Sequence, residues 1–516
     1  MPRRAEYRRA ARAIAVYLAE RQRPDGSFPG PDHYGVASAL WLWSQFGVDF
    51  ARQLDRAWTR LRDDPPPGYG EFNAYALLHC RRQLGERAVD SVISRLRPVG
   101  RHSANWMLLR AACHALEGPW LSPHRARLEG RAALVWHCRR GFIEDRPGVR
   151  SFGYHAFCGA LLADLWQAQG FRWAGRAAAR AAGCIGPFVL PNGDALYVGR
   201  GQQQIFGQGA LIYLLEAARG LVGDPSAGSG SPRAKPRGDG EYAELAERVF
   251  RRAMRFQRPD GSFPLVLREG EDTEPWRSDA SRPGWFTYNR YGDYLPFFGC
   301  MLLKAASAEV PAIGEATRPA GHPAFRSVTK GRYTAVYGAP GGPPTNDLSF
   351  PYVSVDGESL FPCYGREGDR VEPGELPLPY LVTADGQSFS FRDRLSYRLT
   401  ETGLVGVSPV VRHERSFSFG EEGFECADVI TFQRRCSWTS FVPSNFLFRA
   451  LRRSGSGYVT WHGDVEASVT MDPPGSIQQG AAMTASGRLV ALRHQIEKAE
   501  AVQGQRFAVK LTVHFQ

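Results

Sequence analysis

The octapeptide QRPDGSFP spans Gln22–Pro29 and recurs, identically, at Gln257–Pro264. Each copy follows an amphipathic helical pattern and precedes a second, more apolar one. Identity between two distant stretches in the same local setting marks a repeated supersecondary unit. Outward from the two copies, apolar residues at helical spacing predict paired helices. The pairs are 5–20 with 33–46, 50–62 with 72–84, 87–97 with 103–117, 122–139 with 153–169, 172–184 with 205–218, and 241–256 with 288–307. Helical hairpins of this kind cannot bury their faces singly and must stack or close on themselves. Six of them predict an (α/α)6 toroid over residues 1–310.

The rest of the chain has a different character. Residues 221–240 are rich in Gly, Ser and Pro and read as a mobile excursion from the helical domain. Residues 311–330 read as a linker. From 331 to 516, short β-branched or alternating runs such as RYTAVYG, GFECADVITF and RFAVKLTVHF are separated by Gly, Pro and Asp turns. That pattern predicts an antiparallel β-sandwich domain, making the whole an α+β multidomain chain.

Composition agrees with a globular protein of more than one domain, with 516 residues, 43% apolar and 22% charged. The formal charge of +12, carried mostly by Arg, favours acidic partners. No helix-turn-helix, zinc-finger or RNA-recognition pattern accompanies it, so nucleic acid is not expected as a partner. No apolar run is long enough to span a membrane. The charged start, MPRRAEYRRAARAIAVYLAERQ, lacks the apolar core of a secretory signal. Nine cysteines without a CxxC pair predict reduced thiols and a cytoplasmic protein. No cofactor motif is present, and GRGQ at 199–202 lacks the ending of a phosphate loop. No metal site is expected either. Lone histidines on predicted strands, His413 and His462, read as structural, and Cys426 and Cys436 as buried thiols.

In a closed ring of hairpins, the loops joining the first helix of each pair to the second share one end. Here those loops carry the chemistry-bearing residues: GSFPGPDHY (26–34), PPPGYGEFN (65–73), GRHSANW (100–106), GFIEDRPGVRSFGYH (141–155), PNGDALYVGRGQQQ (191–204) and the long 259–291 segment. Polar and aromatic groups gathered at one end of a scaffold are what a ligand cleft requires. A glycine-flanked polar loop entering an apolar helix, as at 191–206, also suits an anionic group.

A toroid followed by a β-sandwich resembles the heparinase II/III and alginate-lyase-like polysaccharide enzymes. Asn105-Trp106 resembles the asparagine that cradles a uronate carboxylate in those lyases, and SFGYHAFCGALLADLW (151–166) resembles their Tyr-His-bearing inner helix. A metal-binding histidine cluster is missing from the β region. Local blocks also resemble an uncharacterised bacterial toroid family linked to β-glucuronidases: NWMLLRAACHALEG, GFIED, YHAF and YVGRGQQQIFG, in that order. The QRPDGSFP copies resemble repeats of triterpene cyclases and prenyltransferases, but neither an acidic DxDD-type cluster nor a zinc set accompanies them.

Those resemblances imply a carbohydrate-active enzyme acting on an anionic, uronic-acid-containing saccharide. β-Elimination needs the carboxylate neutralised, a base for the neighbouring proton and an acid for the leaving oxygen. Tyr154 and His155 are the candidate proton carriers, with Tyr288 and Tyr291 as alternatives. Asn105, Trp106, Tyr197, Arg200, Gln203, Tyr288, Asn289, Arg290 and Tyr291 are the candidate substrate-binding residues. Hydrolysis would instead use a carboxylate pair, with Asp145 or Asp194 as general acid. A third reading is a saccharide-binding protein without turnover.

Overall fold

The computed structural model describes residues 2–30, 32–117, 122–199, 201–219, 239–267, 291–308, 322–340, 348–363, 372–484 and 487–516. The chain divides into two compact units, one of Met1–Val189 with Gln203–Ala320, the other of Leu190–Gln202 with Gly321–Gln516.

The first unit is helical. Its helices are α1 (Pro2–Arg21), α2 (Gly35–Ser44), α3 (Ala51–Asp63), α4 (Gly70–His79), α5 (Arg81–Leu84), α6 (Glu86–Ile93), α7 (Ala104–Glu117), α8 (Ser122–His137), α9 (Phe152–Gln169), α10 (Arg172–Ile185), α11 (Ile205–Ala218), α12 (Asp239–Met254) and α13 (Tyr291–Ser307). Helices α2, α4, α7, α9, α11 and α13 form the inner layer, each packed on the next and α13 packed back on α2. α1, α3, α6, α8, α10 and α12 lie outside them, against α13, α2, α4, α7, α9 and α11 respectively. The sequence accounts for this sorting. Inner helices are apolar all round: every residue of α11 is buried, as are nine of ten in α2 and in α4. Outer helices such as α3 and α6 bury only a stripe, Ala57 and Leu61 in one, Val89 and Val92 in the other.

Both QRPDGSFP copies fold into the same turn. Asp25 Oδ1 accepts from the Ser27 N–H and hydroxyl, and Asp260 Oδ1 accepts likewise from Ser262. The Asp-Gly step takes the chain through positive φ, +84° at Gly26 and +85° at Gly261. Each turn leans on the backbone of an outer helix, Gly26 against Arg56 of α3 and Gly261 against Ala13 of α1. The second copy thus joins the last hairpin to the first helix.

The expected helix 72–84 breaks at Cys80 into α4 and α5. Residues 288–290 of the last expected helix and 221–238 of the expected excursion lie outside the described residues, while 239–240 already begin α12. A two-stranded hairpin, β1 (Cys138–Arg139) and β2 (Phe142–Ile143), precedes α9.

The second unit is built of three antiparallel sheets. One has four strands in chain order, β3 (Phe325–Lys330), β4 (Tyr333–Gly338), β5 (Tyr352–Val355) and β6 (Glu358–Ser359). The others draw on β7 (Tyr380–Thr383), β8 (Ser388–Ser390), β9 (Ser396–Leu399), β10 (Gly403–Val407), β11 (Val411–Phe419), β12 (Gly423–Phe432), β13 (Cys436–Phe448), β14 (Arg452–Ser454), β15 (Gly457–His462), β16 (Val465–Asp472), β17 (Ser476–Thr484), β18 (Gly487–Ala501) and β19 (Arg506–Phe515), with a short α14 (Phe391–Arg394). Eight strands run in the order β14-β15-β16-β19-β12-β11-β10-β9, and five in the order β17-β18-β13-β7-β8. β12 alternates strictly, one side chain buried and the next half-buried. Its buried side shares one core with the smaller sheets, through Phe424 and Cys426 of β12, Val353 of β5 and Phe446 of β13. The expected linker 311–330 ends early: Phe325–Lys330 pairs with β4 as an edge strand that buries only Phe325.

A Gly261→Ala substitution adds a Cβ 2.5 Å from the Ala13 carbonyl oxygen at a positive φ. It is expected to destabilise the helical unit by about 1–3 kcal/mol. Urea unfolding followed by helical circular dichroism checks this.

Candidate functional site

The inner helices of the first unit begin at the same end, and their first two turns carry aromatic side chains. Phe72 (α4), Phe157 (α9), Phe206 (α11) and Phe297 (α13) meet at the centre, with Phe72 and Phe157 stacked at 5.8 Å and Phe206 and Phe297 at 5.0 Å. Around this floor stand Tyr34, Tyr69, Trp106, Tyr154 and Tyr294. Tyr34 stacks on Phe72 at 4.4 Å, and Tyr69 lies 5.5 Å from Trp106. The N-termini of long helices add partial positive charge at this end.

Two polar arrangements sit in the first turns. At the start of α7, the Ser103 hydroxyl donates to Asn105 Oδ1 at 2.6 Å. That bond fixes the amide, and its Nδ2 has no acceptor among the described residues, so it is the group left for a ligand.

The second joins α2 to α13. Gly35 allows the two helices to touch: a Cβ there would stand 2.1 Å from the Gly292 carbonyl oxygen. Pro296, inside α13, lacks the N–H that would otherwise take that carbonyl. The close approach brings the fully buried Asp293 under the start of α2. Asp293 Oδ1 accepts the backbone N–H of His33 (3.0 Å) and of Tyr34 (2.8 Å), and Oδ2 lies 3.0 Å from His33 Nδ1. A carboxylate on Nδ1 fixes the tautomer that leaves Nε2 as the base. The His33 side chain is 31% exposed, against 0% for Asp293. Next to it, Asp32 caps α2 by accepting from Gly35 N–H at 3.0 Å. Burial, and then the Asp293 charge, raise its carboxyl to about 6.

The sequence-predicted residues separate into groups. Asn105, Trp106 and Tyr154 belong to this aromatic end, Tyr154 with its N–H capped by Ser151 Oγ at 3.3 Å. His155 follows Tyr154 in α9. It is fully buried, stacked 4.4 Å from Phe142 of the β1–β2 hairpin. Its Nδ1 accepts from Ile143 N–H (2.9 Å) and its Nε2 donates to the Ala181 carbonyl (3.0 Å), so both nitrogens are spent on holding α9 to its neighbours. Asp145 is 3% exposed, and its main-chain carbonyl accepts the Ala104 N–H that starts α7. Its Oδ1 is buried without a partner among the described residues. Gln203, buried at φ +56°, pairs its carbonyl with Leu267 N–H. Tyr291 is fully buried and donates to the Phe263 carbonyl at 2.7 Å, a packing role. Arg200, Tyr288, Asn289 and Arg290 lie outside the described residues.

Asp194 and Tyr197 belong to the second unit, which corrects their expected place in the helical domain. Asp194 is fully buried and accepts from the hydroxyls of Tyr352 (2.6 Å) and Ser359 (3.4 Å); Tyr197 stacks on Tyr352 at 4.4 Å. The physical cause is the carboxylate's need for buried donors, which β5 and β6 supply. His413 is structural, its Nε2 3.0 Å from Asp428, whose carboxylate Arg415 clamps with two nitrogens. All nine cysteines are free thiols. Among the described residues no group of three His, Cys, Asp or Glu is placed to hold a metal, and no helix is long and apolar enough to cross a membrane.

The residue that sequence reading missed is His33. Its loop (26–34) stood out, but nothing local joins it to Asp293.

No family model matches the chain, and no curated protein matches it in sequence. Solved structures similar to it include an α-1,6-mannanase from Salegentibacter sp. (11% identity, 58% of this chain and 99% of that one, TM-score 0.43). Others are a heparan sulfate lyase mutant from Pedobacter heparinus (11%, 98% and 82%, 0.32) and a type II terpene cyclase from Scytonema (17%, 60% and 99%, 0.40). Likeness of this degree does not fix chemistry, which the side chains of the site must carry.

Burial lowers the His155 pKa to about 4. The unfolded chain, titrating near about 6.5, therefore binds a proton between those values that the folded protein refuses. Stability is expected to fall as pH drops through this window, by about 2–4 kcal/mol from this group. A His155→Gln variant, which keeps an acceptor for Ile143, is expected to flatten the slope in denaturation series across that range.

Proposed function

We propose that the aromatic end of the helical unit, an (α/α)6 toroid, binds a uronate-containing saccharide and cleaves it by β-elimination. The observation that carries this reading is the buried Asp293 beneath a half-buried His33 at the rim of an aromatic floor. Sugar rings present C–H faces that pack on aromatic rings, and hydroxyls that take the surrounding hydrogen-bond groups.

Each group has a task. The Asn105 amide and the helix N-termini neutralise the uronate carboxylate, which makes the adjacent C5 proton acidic and stabilises the enolate-like intermediate. His33 Nε2 removes that proton, and Asp293 stabilises the imidazolium formed. The C4–C5 double bond forms as the C4–O bond breaks. Tyr154, across the ring on α9, gives its proton to the leaving oxygen. The substrate is oligosaccharide or polymer, and the protein is cytoplasmic in this reading.

A second reading has its own support. Asp32, raised to about 6 beside Asp293, is a carboxyl still partly protonated near neutral pH, as a glycosidase general acid must be. Hydrolysis would then replace elimination at the same end of the unit.

On a panel of uronate-containing oligosaccharides, ultraviolet absorbance of an unsaturated product together with new reducing ends is expected. His33→Ala and Asp293→Asn should each lower kcat about 10²–10⁴-fold, and Asn105→Ala should lower kcat/KM about 10²-fold. Reducing ends without the chromophore would select hydrolysis and Asp32. Neither signal across the panel would sink both.

A further inference from the structure

The other end of the same unit carries a cavity of about 600 Å³, where α2, α4 and α13 finish and α5 begins. Its lining holds three cations, Arg81, Arg82 and Lys304, against the single carboxylate of Glu86. Lys304 gives one bond to Asp164 Oδ1 at 2.6 Å. Its remaining ammonium hydrogens have no acceptor among the described residues. Arg82 is exposed and unpaired among those residues, whereas Arg81 is held by Asp90 at 2.6 Å. One wall is Trp41 with His79 stacked on it at 4.2 Å, and His79 Nε2 is buried there without a hydrogen-bond partner among the described residues. Burial, and then Lys304, hold that imidazole neutral. Gln45, Gln83 and Ser307 complete a polar lining.

Inner helices end here, so the carbonyl ends of their dipoles favour the cations and disfavour a bare anion in the middle of the ring. A ligand must therefore meet Lys304 and Arg82 directly with strong acceptors. A dianion matches two cations lining one cavity better than a single carboxylate does. The volume leaves room for a polar body beyond one oxyanion, and the two glutamines and the serine suit hydroxyl groups. We propose that this cavity binds a small phosphorylated sugar or polyol, its phosphate on Lys304 and Arg82 and its hydroxyls on Gln45, Gln83 and Ser307. Trp41, His79 and Lys304 stand on α2, α4 and α13, whose other ends lie next to His33 and Tyr69 and hold Asp293.

Titration calorimetry on the full chain, with inorganic phosphate, glucose 6-phosphate and glucose as probes, tests this. Glucose 6-phosphate is expected to bind, more tightly than phosphate, and Arg82→Glu to weaken it about tenfold or more. Arg82 is exposed, so this variant should fold normally, unlike Lys304→Met, which strands Asp164 without its counter-charge. Asn105→Ala, at the aromatic end, should leave the affinity unchanged, which separates this site from the saccharide site. Failure of both phosphates to bind, indifference to Arg82→Glu, or loss of binding in Asn105→Ala would overturn the assignment.

Discussion

One carboxylate holds the inner ring together. Asp164, on α9 and 3% exposed, accepts hydrogen bonds from Tyr75 of α4 and Tyr213 of α11 and an ion pair from Lys304 of α13. Four of the inner helices thus converge on two oxygen atoms. Most of the surrounding contacts are apolar and would tolerate sliding of one helix along another. A buried charge does not, because any shift leaves it unpaired at a cost of several kcal/mol. Burial, and then the Asp164 charge, push both phenols far above their usual range, so the knot keeps its protons through ordinary changes of pH.

With the helices fixed in register by this knot, their first turns arrive at a common level at the other end. The Phe72, Phe157, Phe206 and Phe297 cluster follows from that register, and the side chains next to it inherit their positions. The His33–Asp293 pair needs a further condition, the Gly35–Gly292 contact between α2 and α13. A histidine on a mobile loop would have gained little from a carboxylate; here the backbone of the same two residues is bonded to it as well.

Much of this was legible in the sequence where the signal was periodic or local. All-round apolar runs named the inner helices, and QRPDGSFP named the hairpin turn, because both depend on residues within a few positions of one another. The orientation of Asn105 depends on Ser103, only two residues away. What failed depended on distant partners. His33 and Asp293 are separated by 260 positions, and Asp194 finds its hydroxyl donors 158 and 165 positions onward. His155 misled for another reason. A Tyr-His pair at a helix start looks the same whether it meets a ligand or, as here, a two-stranded hairpin that covers the ring.

The thirteen residues Leu190–Gln202 count with the second unit although both flanks belong to the first. The chain therefore passes between the units at three points, after Val189, after Gln202 and after Ala320. Neither unit is a contiguous segment that can be cut free with one break. During synthesis the consequence is one of timing. Asp194 leaves the ribosome some 158 residues ahead of Tyr352, so this loop must wait, its carboxylate still in water, while the last helices of the ring are made. The helical half is translated first, yet part of it is among the last pieces of the protein to be buried.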